Sequence, residues 1–455
     1  MEYPDQARGF PRYRPPGQTT EVFYVPLAVR TPRHRASCPS EWKAENDALT
    51  LYEEMKPVMI VLRVLGVLPY GVTSTGDVYF KWLSVAMFYS FVLISTVTAL
   101  VGFNLVERIN MDSTTVYTFA DKTIEYAGRL FISSVFIIPI CHWLETGKKI
   151  KFLNTWTQLQ AEYRLMSGRQ LRLGVRGKVI LILPISAVLV AALTMMAYQR
   201  GFVAQWWHII GIAFASSMSV ILPFIWVITC SVIIKVATAL ADDMEQHFSS
   251  RGSARGIKIS TYRTFWLHLR QLTQDLGNAT GFTYGSHTLL FCTISVLVTY
   301  GFIVELKDNF NFVFFAASLL FQAIIYSECD CAQNAANQVG AKFSERLQAI
   351  TNNMPVTCCE GVHEVGNESS YSEIYFVLFV ATAVRASTHA SNSVFQMRNF
   401  LALVRRNPPV ISYCGFVNVN RALMTSYFST TLTYLAVLMQ FQVSQRSPEE
   451  KRYCA

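Results

Sequence analysis

A chain of 455 residues that is 52% hydrophobic and only 15% charged lacks the polar surface of a soluble domain, where about a quarter of residues carry charge. Its net charge of +9 would suit a nucleic-acid binder, but the basic residues are parcelled out between long apolar runs rather than gathered in one patch, which excludes that class. A membrane protein remains, because a helix crossing ~30 Å of hydrocarbon needs ~20 mostly apolar residues.

Residues 1–52 read as a basic, Pro-rich tail. Seven of the sixteen prolines fall in the first forty residues and aliphatic side chains are few, so the stretch cannot bury a core and is predicted to be disordered. No cleavable signal peptide is visible, since the first apolar run begins near Val58. From Glu53 to Pro69, Val58, Met59, Ile60, Leu62, Leu65 and Leu68 predict a short helix ahead of the membrane. Seven spans are predicted at 83–105, 126–146, 177–198, 205–235, 282–304, 309–327 and 415–442, so residues 53–327 hold the pre-membrane helix and the first six.

Lys and Arg set the orientation. Ten precede the first span, and segments 147–176, 236–281 and 328–414 add seven, five and six, which makes 28 on one side. Segments 106–125, 199–204, 305–308 and 443–455 carry two, one, one and three, or seven on the other. The positive-inside rule then places the N-terminus in the cytosol and the C-terminus outside, opposite to a G-protein-coupled receptor. Half of the ten cysteines fall on predicted cytosolic segments, so no disulfide framework is expected. Cys329-Asp330-Cys331 with Cys358-Cys359 lacks the CxxC spacing of a zinc site, and no metal is expected. The sequons Asn278-Ala279-Thr280 and Asn367-Glu368-Ser369 lie on the cytosolic side and should stay unmodified.

Residues 328–410 form the longest cytosolic loop. Ala335, Val339, Phe343, Leu347 and Ile350 make one amphipathic helix over 332–350; Val394, Met397, Leu401 and Val404 make a second over 391–406, stopped by Asn407-Pro408-Pro409. Their apolar faces need cover from neighbouring subunits, the preferred reading, or from the membrane surface. Between them Tyr371–Val384 is apolar but too short to span comfortably, which predicts a buried or re-entrant helix.

Residues 411–455 hold the last span and a short extracellular tail. Ser426, Ser429, Thr430, Thr433, Ala436, Val437 and Gln440 form a small, hydroxyl-rich stripe at helical spacing. Such a stripe serves close helix packing or walls a water-filled path. Gln440 favours the path, because hydrocarbon gives an amide no partner. Nothing charged lies on this segment except Arg421 near its start. In the outer halves of the other spans, Arg129, Trp207, His208 and Tyr300 are candidate ligand contacts. The alternatives are an interfacial aromatic belt for Trp207 and snorkelling or pairing with a carboxylate for Arg129. There is no P-loop, dinucleotide turn, HExxH or GxSxG, so neither an enzyme nor a cofactor is expected.

The segment Thr433-Tyr434, five apolar residues, then Gln440-Phe441 resembles the terminal motif of insect gustatory receptors. Gly415-Phe416-Val417-Asn418-Val419-Asn420-Arg421 is similar to that family's approach to its last helix. The resemblance implies an all-α membrane protein with seven spans, cytosolic anchor helices between the sixth and seventh, and four subunits around a central pore. It implies a ligand-gated, poorly selective cation channel in the cell membrane of sensory neurons, with a small-molecule ligand, membrane lipid and related receptors in a homo- or hetero-tetramer as partners. Gln440 and Phe441 would then sit at the constriction, with Tyr434 and Thr433 coupling the helix to its neighbours. Length, the Pro-rich leader and Asn334-Ala335-Ala336-Asn337-Gln338-Val339-Gly340 look most like the carbon dioxide branch. Sugar or bitter receptors of the same family stay open, as does a non-channel seven-helix receptor or transporter.

Overall fold

In the computed structural model the described residues are 50–73, 78–112, 119–199, 205, 207–249, 259–305, 312–353 and 395–445. Most of the predicted tail, the segment Tyr371–Val384, Cys358-Cys359 and the second sequon lie outside them.

The pre-membrane segment is α1 (Leu51–Val64). A capping box starts it: the Glu53 amide donates to Thr50 Oγ1 (3.3 Å) and the Thr50 amide to Glu53 Oε2 (2.7 Å). It ends at Gly66, whose φ of 70° is natural for a helix C-terminus; a Cβ there would lie 3.1 Å from Leu93. A two-residue ladder, β1 (Gly71–Val72) with β2 (Val78–Tyr79), leads into α2 (Val85–Asp112). Then come α3 (Phe119–Ser167), α4 (Arg176–Gln199), α5 (His208–Ser249), α6 (Ile259–Glu305) and α7 (Phe312–Asn353). The shorter α8 covers 395–406. A second ladder, β3 (Ser412–Tyr413) with β4 (Val417–Asn418), precedes α9 (Arg421–Gln445).

Six helices among the described residues are long and apolar enough to cross a membrane: Val85–Glu107, Lys122–Ser167, Arg176–Gln199, His208–Phe248, Ile259–Val304 and Arg421–Ser444. The sixth predicted span, 309–327, falls partly outside the described residues and otherwise forms the start of α7. The last helix begins at Arg421 rather than 415, because residues 412–418 turn back on themselves.

Four helices run well past the bilayer. At 1.5 Å per residue, the 49 residues of α3 extend about 74 Å, more than twice the hydrocarbon thickness. The predicted intracellular segments 147–176 and 236–281 are therefore largely helical continuations, and one apolar face explains why. Phe152, Trp156, Leu159 and Tyr163 on α3, Tyr262, Trp266, Leu269 and Leu276 on α6, and Val236, Leu240 and Met244 on α5 recur every three to four residues and are buried. The apolar faces of 332–350 and of the described residues 395–406 find cover within the chain. Phe400 of α8 packs edge-on against Trp266 of α6 (6.1 Å) and Phe343 of α7 (6.2 Å). Arg346 of α7 forks to Asp242 and Glu245 of α5, each at 2.9 Å.

Helix α5 sits at the centre of the bundle, with 67% of its spanning window buried, whereas α4 and α9 have 17% and 22%. A span left this bare on the polar side of α9 calls for a different environment from the lipid that covers α4.

Candidate functional site

Helices α3, α4, α5, α6 and α7 line a partly open apolar cavity of about 100 Å³. Ile124, Ala127, Gly128 and Phe131 of α3 face Ile294 and Val298 of α6 and Ala317 and Phe321 of α7 across it. Among the described residues no charged or hydrogen-bonding side chain lines it. The space is small against drug-sized sites of several hundred Å³, so it suits an uncharged molecule of a few heavy atoms.

The sequence-predicted ligand contacts do not meet there. Arg129 points to Glu125 one turn earlier, Nη2 to Oε1 at 2.7 Å. His208 starts α5, is buried, accepts from the Gln205 amide at 3.3 Å and lies 3.4 Å from Glu107 of α2, with Trp207 edge-on to its ring. Tyr300 is fully buried, but beside Phe119 and Leu435, where α6 meets α9. His208 thus ties α5 to α2, Arg129 is engaged within its own helix, and Tyr300 belongs to the contact between the bundle and the last span.

On α9 the side chains sort by direction. Met424, Tyr427, Thr431 and Leu435 are buried and recur every three to four residues. At about 100° per residue, Ser426, Ser429, Thr433, Ala436 and Gln440 lie on the opposite side of the cylinder, exposed. The stripe therefore faces away from the chain's own bundle. The hydroxyls of Ser426, Thr430 and Thr433 donate to the carbonyls of Ala422, Ser426 and Ser429 at 3.1, 2.8 and 3.0 Å. Their donors are spent inward, so the oxygen lone pairs are what the stripe presents outward. Tyr434 and Phe441, 57% and 55% exposed, flank the stripe instead of sharing its direction, because Phe441 is rotated about 100° from Gln440.

The start of α9 is held to α7. The Asn420 side chain accepts from the Leu423 amide at 2.9 Å as an N-cap, and Arg421 Nε donates to Asp330 Oδ1 at 2.8 Å with Nη2 reaching Asn334 at 3.2 Å. Asn420→Ala is expected to cost about 1 kcal/mol, seen as a lowered thermal midpoint of the purified protein. Arg421→Ala should cost less, since the Arg421 side chain is largely exposed.

The turn before α9 packs on a glycine face of α6. A Cβ on Gly277 would lie 2.1 Å from the Ser412 carbonyl oxygen, and one on Gly281 2.4 Å from the Cys414 amide. The turn itself, Tyr413-Cys414-Gly415-Phe416, has positive φ at both central residues (49° and 79°) and closes through Phe416 N–H to Tyr413 O at 2.9 Å. Two buried carboxylates stand beside it. Glu145 of α3 accepts from the Phe282 and Thr283 amides (2.6 and 3.0 Å) and the Thr283 hydroxyl (2.6 Å), with Lys149 at 3.5 Å. Glu328 of α7 accepts from Thr288 at 3.0 Å, lies 3.4 Å from His287, and Thr288 meets the Tyr413 hydroxyl at 3.2 Å. Burial first, and the Glu328 charge second, raise the Tyr413 phenol well above its ordinary value, so it stays protonated. Among the described residues no group of three His, Cys, Asp or Glu side chains is placed to hold a metal.

Sequence reading missed this assembly. Glu145 and Glu328 fall at the ends of predicted spans, where carboxylates are unremarkable, and spaced glycines in a helix more often serve helix packing.

Long helices of which at least six are fit to span, an apolar cavity among them and a last span turned outward define a multi-pass helical membrane protein. Residues 55–354 and 347–445 match the family model described as 7tm Chemosensory receptor, and the chain belongs to that family, among the insect gustatory receptors. It is 28% identical over 405 residues to Gustatory and odorant receptor 24 of Anopheles gambiae, covering 87% of this chain and 79% of the relative. Gustatory and odorant receptor 22 of the same mosquito is 26% identical and receptor 21a of Drosophila melanogaster 24%, each over 87% of this chain. The fold matches the olfactory receptor OR5 of Machilis hrabei in complex with eugenol, with a TM-score of 0.55, 10% identity, and coverage of 85% of this chain and 97% of that one. A second structure of the same receptor gives a TM-score of 0.51.

Proposed function

We propose that this chain is one subunit of a ligand-gated, weakly selective cation channel of sensory cell membranes, with its N-terminus in the cytosol. Four such subunits, identical or related, surround a central path lined by α9, and a small molecule binds in the cavity among α3–α7. The observation that carries this reading is the polar stripe of α9, turned away from its own bundle with acceptor oxygens outward. In lipid such a face is costly; around a shared axis it meets water and cations. Hydroxyl and amide oxygens without a carboxylate give weak cation preference rather than sharp selectivity.

The cavity favours carbon dioxide or another small uncharged ligand over a sugar, which requires convergent hydrogen-bonding groups that this lining lacks. The test is current under voltage clamp in cells expressing the chain, alone and with related subunits, during pulses of carbon dioxide with bicarbonate and then of sugars. A reversible cation current to the first and not the second supports both parts of the reading. Flux without unitary currents would establish a transporter instead. Ala317→Trp, which fills the cavity from α7, is expected to weaken the response to that ligand about tenfold or more while leaving surface expression intact; an unchanged dose–response would place the ligand elsewhere.

A further inference from the structure

The turn at 411–419 is held by the same helices that line the cavity. Glu145, which braces the Gly277–Thr283 stretch of α6 under the turn, stands on α3; its helix also supplies Phe131 to the cavity. Thr288 reaches Tyr413 from α6, which supplies Ile294 and Val298. Glu328 and Asp330 stand on α7, about 10 and 14 Å along the axis from Phe321. The chain beyond the turn is α9. A shift of α3, α6 or α7 against one another therefore displaces the turn, besides acting on α9 directly through Tyr300 and Asp330.

We propose that residues 411–419, seated on the glycine face of α6 and braced by Glu145 and Glu328, are the element that couples the cavity to α9, with both carboxylates acting as positioning residues. This rests on the channel reading for its consequence, but not for its geometry.

Three features separate a coupling clamp from ordinary packing. First, the seat has no slack: the backbone of 412–414 lies where any side chain at 277 or 281 would be, so the turn has one way to dock. Second, the bonds that hold it are polar and buried. Thr283, His287, Glu328 and Glu145 are all nearly inaccessible, and Trp226 of α5 adds its indole N–H to the Glu328 carbonyl at 3.0 Å while its ring lies 6.0 Å from Tyr413. Buried polar contacts exchange between discrete arrangements rather than deforming continuously, as a switch between two states requires. Third, the turn is joined to α9 with little intervening chain. Val419 N–H bonds back to Ile411 O at 2.9 Å, Asn420 caps, and Arg421 is tied to α7. Displacing the turn must therefore move the first turn of α9.

Two substitutions loosen the clamp from different sides and leave the cavity lining untouched. Thr288→Val keeps the shape and removes both the Glu328 and the Tyr413 bond. Gly281→Ala places a methyl group 2.4 Å from the Cys414 amide and lifts the turn; should it fail to fold, the first variant still decides. Hydrogen–deuterium exchange on the full-length purified receptor should show amides of 411–425 exchanging about fivefold faster or more, with peptides over 190–197 and 315–325 unchanged. In voltage clamp the same variants should raise the agonist-free current per surface receptor by about threefold or more, because α9 is released from the arrangement the clamp imposes. Unaltered exchange at 411–419 in both variants would overturn the clamp. Faster exchange confined to 411–419, with 420–425 and the current as in wild type, would overturn the coupling. A wild-type chain silent under every condition would count against the channel reading alone, and exchange at 420–425 would then decide whether the turn controls α9.

Discussion

Replacing Glu54 with Ala is expected to be among the most destabilising single changes outside the deep core. Its carboxylate, 5% exposed, stands on α1 and accepts from the amides of Gly174, Val175 and Arg176 at 3.1, 2.5 and 3.2 Å. Those N–H groups open α4, where no intrahelical carbonyl is available. A negative charge there also suits the helix dipole, and it offsets Arg176 at the unfavourable end of the same helix. Removing the carboxylate orphans three donors, each worth about 1–3 kcal/mol when buried. Water relieves part of this, leaving a loss of about 3 kcal/mol. Glu54→Gln keeps one acceptor and should fall between. Thermal unfolding of the detergent-purified receptor, followed by size-exclusion fluorescence, should rank wild type above Gln above Ala, with the Ala variant lower by about 3 °C. Equal midpoints for all three would show that water replaces the cap at no cost.

This cap was invisible in the sequence for the same reason as the clamp on α6. Glu54 and Val175 are 121 residues apart, and no local spacing announces a carboxylate that serves a distant helix. What was legible follows from periodicity and composition. Six of the seven apolar runs fall on helices long and apolar enough to span, the seventh on the start of α7, and Ala335, Val339, Phe343, Leu347 and Ile350 read as one helical face and are buried on one. Helix length was less legible, because beyond the membrane the apolar signal thins to one side of each helix and resembles a loop in an averaged reading. The candidate ligand contacts stand apart from the cavity. Arg129 and His208 attracted attention as polar groups among apolar ones, yet their neighbours Glu125 and Glu107 engage them. The cavity is lined instead by Ala127, Ala317 and Phe321, residue types that carry no chemical label in a sequence. The seat of the turn is similarly silent: Gly277 and Gly281 matter through what approaches them, which only the fold reveals.

Gln440 is where the proposed function meets its hardest test. The residue is exposed on the chain's own surface, on the stripe opposite the buried face of α9, so substitutions there should leave the subunit's folding intact. In an assembly with this stripe inward, one side chain becomes a ring, and a change of charge is multiplied by the number of subunits. Gln440→Arg is expected to abolish the cation current, because several cations at one level of a narrow path repel permeant ions in a medium far less screening than bulk water. Gln440→Glu should shift the reversal potential toward divalent cations, and Gln440→Ala should change relative permeability less than either. Phe441→Ala serves as the contrast. Phe441 points about 100° away, toward where a neighbouring subunit would stand, so its loss should weaken assembly, read as fewer tetramers in solution, more than it alters ion preference. If Gln440→Arg and Gln440→Glu both left reversal potential and current amplitude at wild-type values, the stripe would be a packing surface and the path for ions would have to be sought on another helix.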